Sequence, residues 1–151
     1  MINLHCHLEG CVRPTTAATL ATSLGVPEPA GGWEAALVMR QPADLTVFLA
    51  HVAAAYPLLG DPDALRRVAR EAVEDAAADG QAFVEVRFGP ATHRRDWFPI
   101  PDVIRAVRDG LREGSARSGL PTGLVVCLLR HSDRDTNLEV ARSAAIGRAH
   151  V

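Results

Sequence analysis

Ile2-Asn3-Leu4-His5-Cys6-His7-Leu8-Glu9-Gly10 is the stretch that decides how this chain is read. Side chains two apart on extended backbone share a face, so His5 and His7 converge while Leu4, Cys6 and Leu8 point away. Two neutral imidazoles side by side at a strand's carboxyl end can ligate one divalent metal. The apolar alternates would then pack beneath covering helices. A parallel barrel presents ligands in this manner, at the strand ends around its mouth.

Outward from this strand, the chain alternates helical and extended patterns. Thr15 or Thr16 can cap a helix that reaches Leu24, with Gly25 as its stop. Pro27, Pro29, Gly31 and Gly32 make a loop. Asp44 can cap a second helix, in which Leu45, Phe48, Leu49, Val52 and Tyr56 recur at helical spacing. Asp61 caps a third, with Pro62 in its first turn and one apolar stripe through Leu65, Val68, Ala69, Ala72, Val73 and Ala76. Gly80 ends it. Ala82-Phe83-Val84-Glu85-Val86-Arg87-Phe88 then reads as a strand with Ala82, Val84, Val86 and Phe88 on one face, closed by Gly89-Pro90. A further helix is expected over about 101–117 and a last one from near Thr136. Between them, Leu124-Val125-Val126-Cys127-Leu128-Leu129 is an apolar run suited to a parallel strand covered on both sides. Strands alternating with helices indicate parallel α/β architecture, and the pattern alone leaves an open sheet and a barrel equally available. There is no Gly-x-Gly-x-x-Gly and no phosphate loop after the first strand.

Composition bounds the function classes. With 151 residues, 48% hydrophobic and 23% charged, the chain suits one ordinary globular domain. A net charge of −2 provides no electrostatic footprint for nucleic acid or an anionic membrane. The arginines lie along helices beside Glu and Asp, as on solvated faces. Cys6, Cys11 and Cys127 are odd in number and lack metal-type spacing, which fits a reducing cytoplasm. The start carries no signal-peptide pattern, and no segment approaches the roughly 20 apolar residues that span a bilayer.

The opening block Leu4-His5-Cys6-His7-Leu8-Glu9-Gly10-Cys11-Val12-Arg13-Pro14-Thr15-Thr16 closely resembles the signature of the adenosine deaminase family within the amidohydrolase superfamily. Asp44-Leu45 with Phe48-Leu49, Ala82 to Pro90, and Cys127-Leu128-Leu129-Arg130-His131 resemble later segments of that family in order and spacing. The likeness extends from Leu4 to about Ala144. It implies the N-terminal part of a (β/α)8 TIM barrel, with about three of the eight strands present in a chain well short of the about 250 residues of a whole barrel. It implies hydrolytic deamination of adenosine or a related aminopurine nucleoside with one Zn2+ per site. His5 and His7 match two zinc ligands, His7 also lies near the substrate, and Glu9 matches an acid that binds a ribose hydroxyl. Cys11 stands where the family more often has a small hydroxyl residue or alanine. The family's proton-shuttling Glu, in a His-Ala-Gly-Glu block, and its late Asp-Asp metal pair do not occur in these residues, so the chain alone is expected to be inactive.

Other polar residues take plainer readings. Glu85 and Arg87 share a strand face and are expected to form a structural ion pair. Arg130 and His131 end the third strand, where His131 either lines a pocket or is a satisfied polar side chain. His51 on a helix and His93 in a loop have no partner at a useful spacing, and Cys127 is expected to be inert core. The same scaffold also serves deaminases of adenine and of aminofutalosine-type nucleosides. Metal phosphoesterases open with Asp-x-His-x-His, which Asn3 and Leu8-Glu9-Gly10 do not match. A short non-catalytic product is the remaining alternative. Residues 1–145 are read as the barrel portion. Ile146-Gly147-Arg148-Ala149-His150-Val151 matches one reading frame of a common short-read sequencing adapter and is expected to be a non-native tail, so His150 is not a ligand candidate. Three strands with a bare edge are expected to aggregate or fold loosely when expressed alone.

Overall fold

Strict alternation fixes the central strand. In β2 (Phe83–Phe88), Val84, Val86 and Phe88 are buried, while Phe83, Glu85 and Arg87 are half-buried on the opposite face. The computed structural model describes residues 1–147, so the expectation for the final tail falls mostly outside the described residues. β1 (Ile2–His7) and β3 (Thr122–Val126) flank β2 in the order β1-β2-β3, and both pairings are parallel. The helices are α1 (Pro14–Leu24), α2 (Gly32–Leu37), α3 (Leu45–Ala53), α4 (Pro62–Ala78), α5 (Pro90–His93), α6 (Ile100–Ser118) and α7 (Arg134–Gly147), with 3-10 turns at Leu8–Cys11 and Tyr56–Leu58.

The core joins the buried face of β2 to α4 and α6. Leu65, Val68, Ala69 and Val73 of α4 and Val103, Ile104, Val107 and Leu111 of α6 belong to one apolar cluster with Val84, Val86 and Phe88. Asp61 caps α4 as expected, accepting from the N–H groups of Asp63 and Ala64, an arrangement typically worth about 1 kcal/mol. Two glycines let α4 and α6 approach closely. A Cβ on Gly110 would strike the Arg66 carbonyl and Ala69, and one on Gly114 would strike Val73 and the Arg70 carbonyl.

Several expectations need correction. α1 starts at Pro14, one residue before the proposed threonine caps, and its N-cap Arg13 makes no side-chain capping bond. Proline at the first helical position needs no N–H partner. Thr16 is instead buried and donates its hydroxyl to Glu71 Oε2 at 2.6 Å. The Pro/Gly loop ends in a short helix, α2, which buries Trp33. Asp44 does cap α3, accepting from the Val47 N–H at 2.9 Å, yet no residue of α3 is fully buried. The apolar run of the third strand leaves the sheet at Val126, and Leu128 is 47% exposed. Covering both sides therefore fails, because the helical core lies on one face alone. No described helix is long and apolar enough to cross a membrane.

Candidate active site

β1 departs from simple alternation where the site forms. Ile2 pairs with Phe83 and Asn3 with Val84, but the next partners are Cys6 with Val86 and His7 with Arg87. Three steps along β1 thus oppose two along β2, which is a bulge. Leu4 lies within it and is 58% exposed, so the expectation that it packs beneath a helix is wrong. Past the bulge, Cys6 packs against the core and Leu8 is fully buried, as expected. The Asn3 Oδ1 accepts from the His5 N–H at 3.1 Å, and the Leu4 carbonyl accepts from Arg87 Nη2 at 2.7 Å. Arg87 also makes the expected ion pair, donating to Glu85 Oε1 at 3.1 Å.

His5 and His7 converge. Their Nε2 atoms lie 3.2 Å apart, with the rings tilted by 47°. Desolvation lowers the His7 pKa below its ordinary value; the charge of Glu9 opposes that shift, and His5 and Arg87 add to it. His7 is thereby favoured as a free base. Among the described residues, no cluster of three or more His, Cys, Asp or Glu forms around the pair.

A cavity of about 380 Å³ opens beside His7. Its floor and walls include Glu9, Phe88, Gly89, Cys127 and His131, and Phe48, Leu49, His51 and Val52 of α3 border it. The incomplete burial of α3 follows from this position over the opening. His51 Nδ1 lies 2.9 Å from the Ala36 carbonyl, which ties α3 back to α2. The loop bearing His131 is held by Asn137, whose side chain bonds both the N–H and the carbonyl of Leu129. Arg130 is exposed and does not border the cavity.

Glu9 occupies the 3-10 turn after β1 and is 7% exposed. Its Oε1 lies 3.0 Å from His93 Nε2. This overturns the view of His93 as an unpartnered loop residue: it ends α5 and is fully buried. No local spacing relates two residues 84 positions apart; the available signal was the place of His93 just after a strand end. Cys127 also departs from expectation. It is half-buried and borders the cavity, because the chain has already left β3 there. Cys6 and Cys11 approach to 3.3 Å between sulfurs, and the hydrogen bond with Cys11 holds the Cys6 thiol down to about 7 against the effect of burial.

The family model described as adenosine deaminase matches residues 1–150. An adenosine deaminase of Enterococcus faecalis is 32% identical over 136 residues, or 88% of this chain and 40% of that protein. A zinc-bound amidohydrolase from Burkholderia ambifaria superposes with a TM-score of 0.83 at 30% identity, covering 98% of this chain and 41% of the other. The adenine deaminase of Arthrobacter aurescens also gives 0.83, at 25% identity, over 99% and 46%. The chain thus spans about 40% of the length of the curated relatives it matches. Its three strand-helix units are the N-terminal part of a (β/α)8 barrel.

Proposed function

The chain belongs to the adenosine deaminase family, and on that premise we propose that it forms the opening of a zinc-dependent hydrolase that removes the amino group of adenosine or a closely related aminopurine nucleoside. The observation that carries this reading is the 3.2 Å convergence of the His5 and His7 Nε2 atoms beside a cavity walled by a buried carboxylate. Zn–N bonds of about 2.0–2.1 Å in tetrahedral geometry separate two ligand nitrogens by about 3.3 Å. The imidazole pair already has that spacing, and its donors are of the type zinc takes.

In this reading His5 and His7 hold the cation, and His7 also borders the bound substrate. The chemistry zinc supplies at such a site is Lewis acidity, which makes water nucleophilic near neutral pH. Glu9 accepts a hydrogen bond from a sugar hydroxyl. Phe48, Leu49 and Val52 provide apolar surface for the purine and limit access of bulk water. Among the described residues no Arg or Lys borders the cavity, which suits an uncharged nucleoside or base. The proton-shuttling Glu and the remaining metal ligands that the family resemblance implies are not among these residues, which span about 40% of the matched relatives. The odd number of cysteines, without metal-type spacing, supports a reducing cytoplasmic setting.

Adenine itself is the second reading, favoured by the likeness to the Arthrobacter enzyme. The buried Glu9 carboxylate argues for a ribosyl substrate, because a base without a sugar leaves it no hydroxyl to bind. The test is ammonia release from adenosine and from adenine by the zinc-loaded full-length protein, with metal content measured in parallel. His5→Ala and His7→Ala should each lose bound zinc and turnover together. Retention of zinc and full turnover in both variants overturns the metal assignment. The 151-residue chain alone should release no ammonia.

A further inference from the structure

His93 is the most deeply buried ionisable side chain near the cavity, and it does not border that cavity. Its ring stacks on Phe88, with centroids 6.2 Å apart and planes 19° apart, and meets Tyr56 edge-on at 6.0 Å. Its sole polar partner among the described residues is Glu9, and its Nδ1 is buried without a hydrogen bond. Leaving a buried nitrogen unpaired costs free energy, so a leucine here would be the simpler core residue. What the imidazole adds is one directed N–H at Nε2. That N–H occupies Oε1 of a carboxylate that does border the cavity. Packing between two aromatic rings fixes the imidazole, and the imidazole in turn fixes the carboxylate plane. Among the described residues, Oε2 of Glu9 accepts no hydrogen bond.

We propose that His93 is a positioning residue, which clamps the Glu9 carboxylate through Oε1 so that Oε2 meets a hydroxyl of the substrate's sugar. This rests on the proposed role of Glu9 as the sugar contact. His93 itself touches neither substrate nor metal. A preorganised acceptor contributes more than a mobile one, because its ordering cost is met on folding and not on binding.

The test uses the zinc-loaded full-length protein with adenosine and its 2′-, 3′- and 5′-deoxy analogues. In the parent protein, one analogue should show a kcat/KM roughly tenfold or more below adenosine, about the value of one charge-assisted hydrogen bond. Glu9→Gln should abolish that discrimination; if it does not, the sugar-contact reading of Glu9 fails, whatever His93 does. Given that result, His93→Leu should cut the discrimination most of the way to unity, chiefly through KM, with zinc content unchanged. His93→Gln, which retains a donor, should restore part of it. In the Glu9→Gln background, His93→Leu should add nothing further. Undiminished discrimination in His93→Leu, or losses that simply add in the double variant, overturns the proposal. Should His93→Leu fail to fold, the same comparison is made with His93→Gln and His93→Asn, which place the donor differently; equal discrimination in these two and the parent overturns it as well.

Discussion

A thiol on the wall of a ligand cavity invites a nucleophilic role, and the surroundings of Cys127 oppose one. Burial raises its pKa above the ordinary thiol value; Arg87 pulls the other way, and the charge of Glu9 adds to the rise. The thiolate is the reactive species, so a raised pKa leaves a neutral, sluggish side chain at physiological pH. The rate of Cys127 alkylation by iodoacetamide, followed by peptide mass mapping, should keep climbing beyond pH 9. A plateau near pH 7 would show an activated thiol and contradict this. Residues of this kind mark the limit of what a linear pattern reveals. His5 and His7 were legible because a spacing of two on a strand is a local rule with a geometric consequence. Glu9 was legible only through the family resemblance of the block around it, since a carboxylate after a strand is by itself an ordinary turn residue. His93 and Cys127 were not, because one depends on a contact between distant strand ends and the other on where an apolar run leaves the sheet.

The bulge in β1 is the element-level device that aims the imidazoles. An extra residue frees the Leu4 carbonyl from the ladder, and Arg87 Nη2 caps it from the neighbouring strand. Arg87→Met keeps much of the side-chain volume but leaves that carbonyl without its donor and Glu85 without its cation. Groups that orient metal ligands typically influence affinity by about 10- to 100-fold. Relief of the Arg87 charge on His7 offsets part of that, so zinc affinity measured by chelator competition should drop by about tenfold. An unchanged affinity would make the Arg87 contact purely structural. The α4–α6 contact is equally specific. Gly110→Ala places a methyl against the Arg66 carbonyl and Ala69, and overpacking of this sort costs about 1–3 kcal/mol, visible as a lowered chemical-denaturation midpoint. The helical stripes of α4 and α6 were plain from sequence because their period is strong. α3 also carries apolar residues at helical spacing, but they cover most of its surface, and it buries none of them completely. Periodicity reports an apolar face; whether that face meets a core or a cavity depends on tertiary placement.

For the molecule as a whole, the order of strand-helix units followed directly from alternating periods, whereas barrel closure could not, since an open sheet is built from identical local patterns. The same geometry governs how the isolated 151-residue chain should behave. Its apolar cluster is extensive, linking helices α1, α4, α6 and α7 to the sheet, so collapse is well driven. Its sheet, however, has β1 and β3 as open edges. Ile2 and Leu4 along β1 are 63% and 58% exposed, and Leu45 and Leu49 of α3 are also bare. Unpaired strand edges with apolar side chains template pairing with other chains. Purified alone, the chain should therefore show a mass by light scattering that rises with concentration, together with binding of a dye specific for exposed apolar surface. Ile2→Lys and Leu4→Lys place charge on the β1 edge without touching the helical core, and should reduce the association while leaving the helical circular-dichroism signal in place. A monodisperse monomer with a sharp thermal transition in the parent chain would show that the three units satisfy themselves, and equal association in both lysine variants would move the sticky surface elsewhere, to α3.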